Sequence, residues 1–262
     1  MFDVHYHLIF GVDDGPKTID DSLALAEASI AEGVTHIVAT PHANHQYPFQ
    51  PEINRERLDI LNQRLEGRLT LALGCDFHLA YDNIVDLEQH PGRYTLNGKR
   101  YLLVEFAEYV IPRSLSEVLF RMRSQGIVPI VTHPERNPVL TADPQRVREW
   151  IASGCIVQVT AGSFLGDFGR KAQSMARNLV RKNLVHLVAS DAHSMKWRPP
   201  AMRKAYNWLR DEFGQLTADR LCIDNPRAVF FGEELPPQPD IDDDYIPGEK
   251  RNRGFFARLL GR

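Results

Sequence analysis

Cysteine is scarce in this sequence: Cys75, Cys155 and Cys222 are the only three in 262 residues. Odd in number and widely spaced, they rule out a disulfide scaffold and fit a reducing compartment. A long apolar run is missing as well, and Met1 to His7 read as a working strand with no room for a cleavable leader, so the cytoplasm is the expected location. An excess of one charge is also absent. Lys and Arg number 31 against 34 Asp and Glu, a net charge of −3, which offers a polyanion no general attraction; a nucleic-acid partner is therefore not expected. At 43% hydrophobic and 25% charged, the composition is that of an ordinary globular protein.

What is present is an alternation of short β-branched or aliphatic runs with longer stretches at helical spacing, the pattern of a parallel sheet wrapped by helices. Seven strands are expected, at about 2–6, 34–39, 69–74, 100–105, 127–132, 155–159 and 185–190. Helices are expected at about 20–32, 54–66, 115–125, 143–153, 170–182 and 200–211, the last continued to Cys222. Gly33, Gly67, Gly126 and Gly154 stand where the first four should stop. Seven βα units predict an α/β fold, a distorted (β/α)7 barrel one unit short of the eight-stranded form. One domain is expected over residues 1–235, with 236–262 as a flexible tail: a Pro-rich stretch, an acidic cluster at Asp240 and Asp242 to Asp244, then a basic end.

In such folds the loops at the C-terminal strand ends meet on one face. Six of the seven ends here carry metal-type ligands: His5-Tyr6-His7, Thr40-Pro41-His42, Cys75-Asp76-Phe77-His78, Val104-Glu105-Phe106, Thr132-His133-Pro134-Glu135-Arg136 and Ser190-Asp191-Ala192-His193. His5 and His7, two apart on a strand, project to one side and can chelate one ion, and Asp191 with His193 repeats the spacing. A single histidine at a strand end is usually only a polar residue bonded to a loop; agreement across six ends is what carries the argument. Imidazoles and carboxylates without thiolate suit Mn, Fe, Zn or Mg. His36, His186 and His90 read as structural, and His45 as either bordering the site or solvated.

Two other chemistries find no support. The run from Gly162 to Gly169 lacks the Gly-Lys-Ser/Thr ending of a nucleotide loop and reads as a turn bordering the site. No cysteine has an arginine six positions later, since Tyr81, Ala161 and Ala228 stand there, so the cysteines read as buried packing.

The motifs His5-Tyr6-His7, Gly11-Val12-Asp13-Asp14-Gly15, Ala39-Thr40-Pro41-His42, His133-Pro134-Glu135-Arg136-Asn137 and Ala189-Ser190-Asp191-Ala192-His193 resemble the PHP (polymerase and histidinol phosphatase) superfamily. They are more closely similar to its bacterial protein-tyrosine phosphatases of capsule and exopolysaccharide synthesis. The resemblance spans about residues 1–235. It implies three divalent ions, manganese first and iron, zinc, magnesium or cobalt as alternatives. His5, His7 and Asp191 would hold one ion, Asp14, His42 and His193 another, and Glu105 with His133 the third. Asp76 would be the shared carboxylate, where the family usually has Glu.

A divalent ion lowers the pKa of a bound water from 15.7 to about 7, so a hydroxide bridging two ions would be the nucleophile for a phosphate monoester. Arg136 and Arg198, each just after a ligand motif, would clamp the phosphoryl oxygens; a pair of surface salt bridges is the less favoured alternative. Asp14 could in addition deliver the leaving group's proton. The resemblance implies a phosphotyrosine protein as substrate, a membrane-associated tyrosine kinase. Alternatives are a small-molecule phosphatase such as histidinol-phosphatase, a metal-dependent module that binds phosphotyrosine without cleaving it and, more distantly, an amidohydrolase, although Glu105 stands where a bridging lysine would be expected. The basic, apolar end at 250–262 would give at most weak contact with the inner membrane surface.

Overall fold

The computed structural model describes residues 1–242. Nine strands run β1 Phe2–Tyr6, β2 His36–Ala39, β3 His42–Ala43, β4 Thr70–Leu73, β5 Asp76–His78, β6 Tyr101–Glu105, β7 Val128–Thr132, β8 Ile156–Thr160 and β9 Leu187–Ala189. They make two parallel sheets, β1-β2-β4 and β3-β5-β6-β7-β8-β9. The seven expected crossings are all there, but the second and third are each broken in two. Pro41, which has no N–H to donate, interrupts the second between β2 and β3. Gly74 interrupts the third, where a Cβ would lie 2.6 Å from Leu96 and 2.8 Å from Val38.

Backbone hydrogen bonds carry the ladder across both breaks, from Thr40 N to Tyr6 O (2.8 Å), Gly74 N to Ala39 O (2.8 Å) and Asp76 N to Pro41 O (3.1 Å). The ring closes where the segment after β9 meets β1: Asp191 N donates to His5 O at 2.9 Å and His7 N to Ala192 O at 3.0 Å. Ser190 N donates to the buried Asp3 carboxylate, whose pKa burial pushes up to about 6. This is the distorted seven-crossing barrel that the strand count predicts.

Eleven α-helices surround or cap the ring among the described residues: α1 Ile19–Ala31, α2 Pro51–Leu65, α3 Tyr81–Gln89, α4 Leu115–Ser124, α5 Pro138–Ala142, α6 Gln145–Ala152, α7 Ala161–Leu165, α8 Gly169–Arg181, α9 Met202–Phe213, α10 Gln215–Asp219 and α11 Asn225–Phe231. The glycine stops hold; Gly126, for example, takes φ 82° as the chain leaves α4 for β7. Four helices were not expected. Two of them, α5 and α11, carry proline in the first turn, where its missing N–H costs nothing, so proline there marks a start rather than a break. A third, α7, occupies the glycine-rich run that reads as a turn.

Alternate strand residues sort into two cores. Val38, Ala72, Leu103, Ile130, Ile156, Leu187 and their neighbours form the inner core, plugged by Val229 and Phe230 of α11. Ile37, Leu71, Leu102, Val131, Val157 and Val188 face the helices.

The tail is not free from residue 236 onward. Gln238 bonds Arg220 and Asn225, Asn183 donates to Asp240 O, and Asp242 N donates to Lys182 O. Residues 236–242 are therefore docked on the body, and the basic, apolar end lies outside the described residues.

Candidate metal centre

The period-two alternation that builds the inner core also aims the ligands. Continuing the inner-facing set past Leu103, Leu187, Val38 and Ala72 leads to Glu105, Asp191, His42 and Asp76. In β1 the alternation alone would fail, because Phe2 and Val4 belong to the inner core and would turn His5 outward. A register irregularity between Asp3 and Tyr6 corrects this: Tyr6 joins the outer core, and His5 and His7 turn inward.

All nine candidate ligands meet. Four overlapping groups form, each with donor atoms within 4.8 Å of one another: His7, Asp14, His42 and His193; His5, His7 and Asp76; His5, His133 and Asp191; and His42, Asp76 and Glu105. Asp191 Oδ1 lies 3.4 Å from His5 Nε2 and 3.5 Å from His7 Nε2, and Asp14 Oδ1 lies 3.3 Å from His193 Nε2. Glu105 and His133 do approach, at 3.8 Å, but belong to different groups, so the sharing differs from the expected three sets. Asp76, despite its short arm, lies 3.1 Å from His42 Nδ1 and 3.6 Å from His5 Nε2.

The chemistry of these donors fits cations. His5 Nε2, His7 Nε2, His42 Nδ1, His193 Nε2 and both Asp76 oxygens are buried without a hydrogen-bond partner, although buried polar atoms are nearly always paired. Within the cluster, five carboxylates (Asp13, Asp14, Asp76, Glu105 and Asp191) face only two guanidiniums. That imbalance draws positive charge strongly. Burial opposes a charge on His5, yet Asp191 and Asp76 push its pKa up to about 9; for His42, Asp14 and Asp76 outweigh burial and push it to about 11. His7 goes the other way, to about 4, through burial and the adjacent His193. For Asp14, His193 and His42 outweigh burial and hold the carboxyl far below the usual range. A carboxylate held ionised in this way is a poor proton donor.

Arg136 and Arg198 both bind Asp191 Oδ2, Arg198 Nη1 at 2.8 Å, and Arg198 Nη2 lies 3.7 Å from Asp14. Phe168, on the glycine-rich run, lies under the Arg136 guanidinium at 4.3 Å. Both arginines thus sit at the rim of the cluster. Among the other histidines, His36 stacks on Phe2 at 4.3 Å, His186 Nδ1 accepts from Val157 N, His90 lies beside Asp86, and His45 is exposed. The three cysteines are buried and unpaired.

Two positioning residues escape the sequence reading. Asp13 accepts from His7 Nδ1 at 2.7 Å and also from Gly15 N and His42 N, so it fixes which nitrogen His7 presents. Gln158, on the one crossing of the seven whose end carries no candidate ligand, does the same for His5 Nδ1 at 3.1 Å. The Asp13-Asp14 pair was a visible signal; Gln158 had none, because an inner-facing glutamine in a strand resembles any other.

The family described as "Capsular polysaccharide synthesis, CpsB/CapC" matches residues 1–231. The tyrosine-protein phosphatase CpsB of Streptococcus pneumoniae is 34% identical over 242 residues, covering 89% of this chain and 99% of that protein. The tyrosine-protein phosphatase YwqE of Bacillus subtilis is 32% identical, with 91% and 96% covered. A crystal structure from the study of YwqE and CpsB, described as unique metal-dependent tyrosine phosphatases, superposes with a TM-score of 0.84 at 31% identity, covering 91% of this chain and 99% of that one. With matched residues that include every candidate ligand, the chain belongs to the CpsB/CapC family.

Proposed function

We propose that this chain is a metal-dependent protein-tyrosine phosphatase. The observation that carries the reading is Asp191: one oxygen faces His5 and His7 in the ligand cluster, and the other takes both arginines. Phosphate-binding cations are thereby tied to the place where an attacking water would be activated. The nine ligands would hold divalent ions, three by family resemblance and manganese first, which supply a water of lowered pKa as nucleophile. Arg136 and Arg198 hold the phosphoryl oxygens and neutralise the charge that builds on them, and being guanidiniums they stay charged at any working pH. Asp13 and Gln158 keep His7 and His5 in the required tautomers.

Membership of a capsule-synthesis family supports a phosphotyrosine protein as substrate and, more finely, a membrane-associated tyrosine kinase. A cytoplasmic setting agrees with three buried, unpaired cysteines. Among the described residues no helix is long and apolar enough to cross a membrane. The best support for a module that binds phosphotyrosine without cleaving it is Asp76 in place of the family's usual Glu, and that shorter side chain still reaches both His5 and His42.

The test is turnover by protein stripped with a chelator and reloaded with one metal at a time. Phosphotyrosine peptide should be hydrolysed only after reloading, and better than histidinol phosphate or phosphoserine peptide. Preference for histidinol phosphate would assign the small-molecule reading, and stoichiometric metal uptake without turnover would assign the binding module.

A further inference from the structure

A cavity of about 420 Å3 opens directly from the ligands Asp14 and His193. That volume falls in the range of roughly 300–1,000 Å3 usual for small-ligand sites. Pro16, Lys17 and Ala24 form one wall, and the turn carrying Met195, Lys196 and Trp197 forms the other. Trp197 is 87% exposed, more than any other large apolar side chain among the described residues. The other two tryptophans are committed elsewhere: Trp150 is buried with its indole N–H on Ser116, and Trp208 packs on Phe164.

The turn that carries Trp197 is hydrogen-bonded back to the centre. His193 N and Ser194 N both donate to Arg198 O, at 2.9 and 3.2 Å, and Trp197 N donates to Ser194 Oγ at 3.1 Å. Arg198 is in turn fixed to Asp191. The Trp197 main chain is therefore held in register with His193 on one side and Arg198 on the other. An exposed indole on so constrained a turn, beside a cavity that reaches the ligands, is placed for a flat apolar group.

We propose that Trp197 is a specificity residue: the phenyl ring of phosphotyrosine lies in this cavity against the indole while its phosphoryl group is held by Arg136 and Arg198. This rests on the phosphotyrosine reading above. A tyrosyl phosphate presents its phosphorus at the end of a flat apolar ring, whereas an alkyl phosphate offers the indole nothing to stack on. The ring contact is made in the bound ground state and persists through the reaction, so it acts on KM rather than on kcat.

Metal-loaded protein should be compared on a phosphotyrosine peptide and on glycerol phosphate. Trp197→Ala should raise KM for the peptide roughly five- to tenfold with kcat within about twofold, and the aryl-to-alkyl ratio of kcat/KM should fall by a similar factor. Trp197→Phe should recover most of the loss. In a readout without turnover, a peptide carrying phosphonomethyl-phenylalanine should quench the tryptophan fluorescence of the parent protein but not of Trp197→Phe. An unchanged aryl-to-alkyl ratio, or equal quenching in both proteins, would overturn the assignment. Failure of the parent protein to hydrolyse phosphotyrosine would instead remove the reading on which it rests, and shows before any variant is made.

Discussion

The carboxylate of Asp13 accepts a 2.7 Å hydrogen bond from His7 Nδ1, which leaves Nε2 of His7 as the atom facing Asp191 and Asp76. Losing such a partner usually costs about 10- to 100-fold in metal affinity. Asp13→Ala should therefore need that much more metal for half-maximal reactivation after chelation, with near-normal turnover at saturation. Metal titration of stripped protein, followed by activity, measures this; an unchanged titration would refute the positioning role.

Arg136 and Arg198 share one oxygen of Asp191, so each can be removed while the other still balances that carboxylate. Arg198→Ala and Arg136→Ala should each lower kcat/KM by about 10²–10³, the usual loss for one donor to a developing oxyanion. Metal content by elemental analysis should stay near that of the parent. Arg198→Lys should recover only a small part, since an ammonium cannot grip two oxygens in a plane.

Asp76 is buried, has both oxygens free of hydrogen bonds, and reaches the groups around His5 and around His42. Asp76→Asn keeps the shape and removes a charge common to two of the candidate ligand groups. The measured metal stoichiometry should fall, with turnover falling alongside it. Full stoichiometry in the variant would show that Asp76 is not shared.

His186, far from the centre, gives a pH effect with a definite sign. Burial and Arg220 lower its pKa from 6.5 to about 4 in the fold, and its Nδ1 accepts from Val157 N. Between pH 6.5 and 4 the unfolded chain therefore binds the extra proton. The stabilisation is full above 6.5 and is lost as pH falls toward 4, by up to about 1.4 kcal/mol per pH unit. His186→Gln should be less stable than the parent at pH 7 and show a shallower loss on acidification. Urea midpoints at pH 7 and 4.5 measure both.

The second and third crossings show how far local pattern goes. Val34 to Ala39 and Leu69 to Gly74 announce themselves as strands by their β-branched and aliphatic content, and the structure places β2 and β4 there. The extra short strands β3 and β5 did not announce themselves. His42-Ala43 and Asp76-Phe77-His78 have no strand composition of their own and pair only because the barrel wall continues past Pro41 and Gly74. The same tertiary context docks residues 236–242, whose proline-rich composition alone predicts freedom.

Hydrophobic spacing and strand-end residue types by themselves pointed to the barrel, the face that gathers the candidate site and eight of the nine candidate ligands, because a parallel α/β ring brings its C-terminal loops together whatever their separation in sequence; Asp14 came only from the family resemblance. Only the folded chain decided how those ligands are shared. The irregularity in β1 turns His5 and His7 inward, and His133 and Asp191 reach their places with positive φ, at 32° and 53°, a backbone state that side-chain identity does not announce. Long-range closure of the ring also selected Gln158 as the group that orients His5, since a hydrogen bond between residues 153 positions apart leaves no local trace in sequence, whereas Asp13 orients His7 from only six residues away.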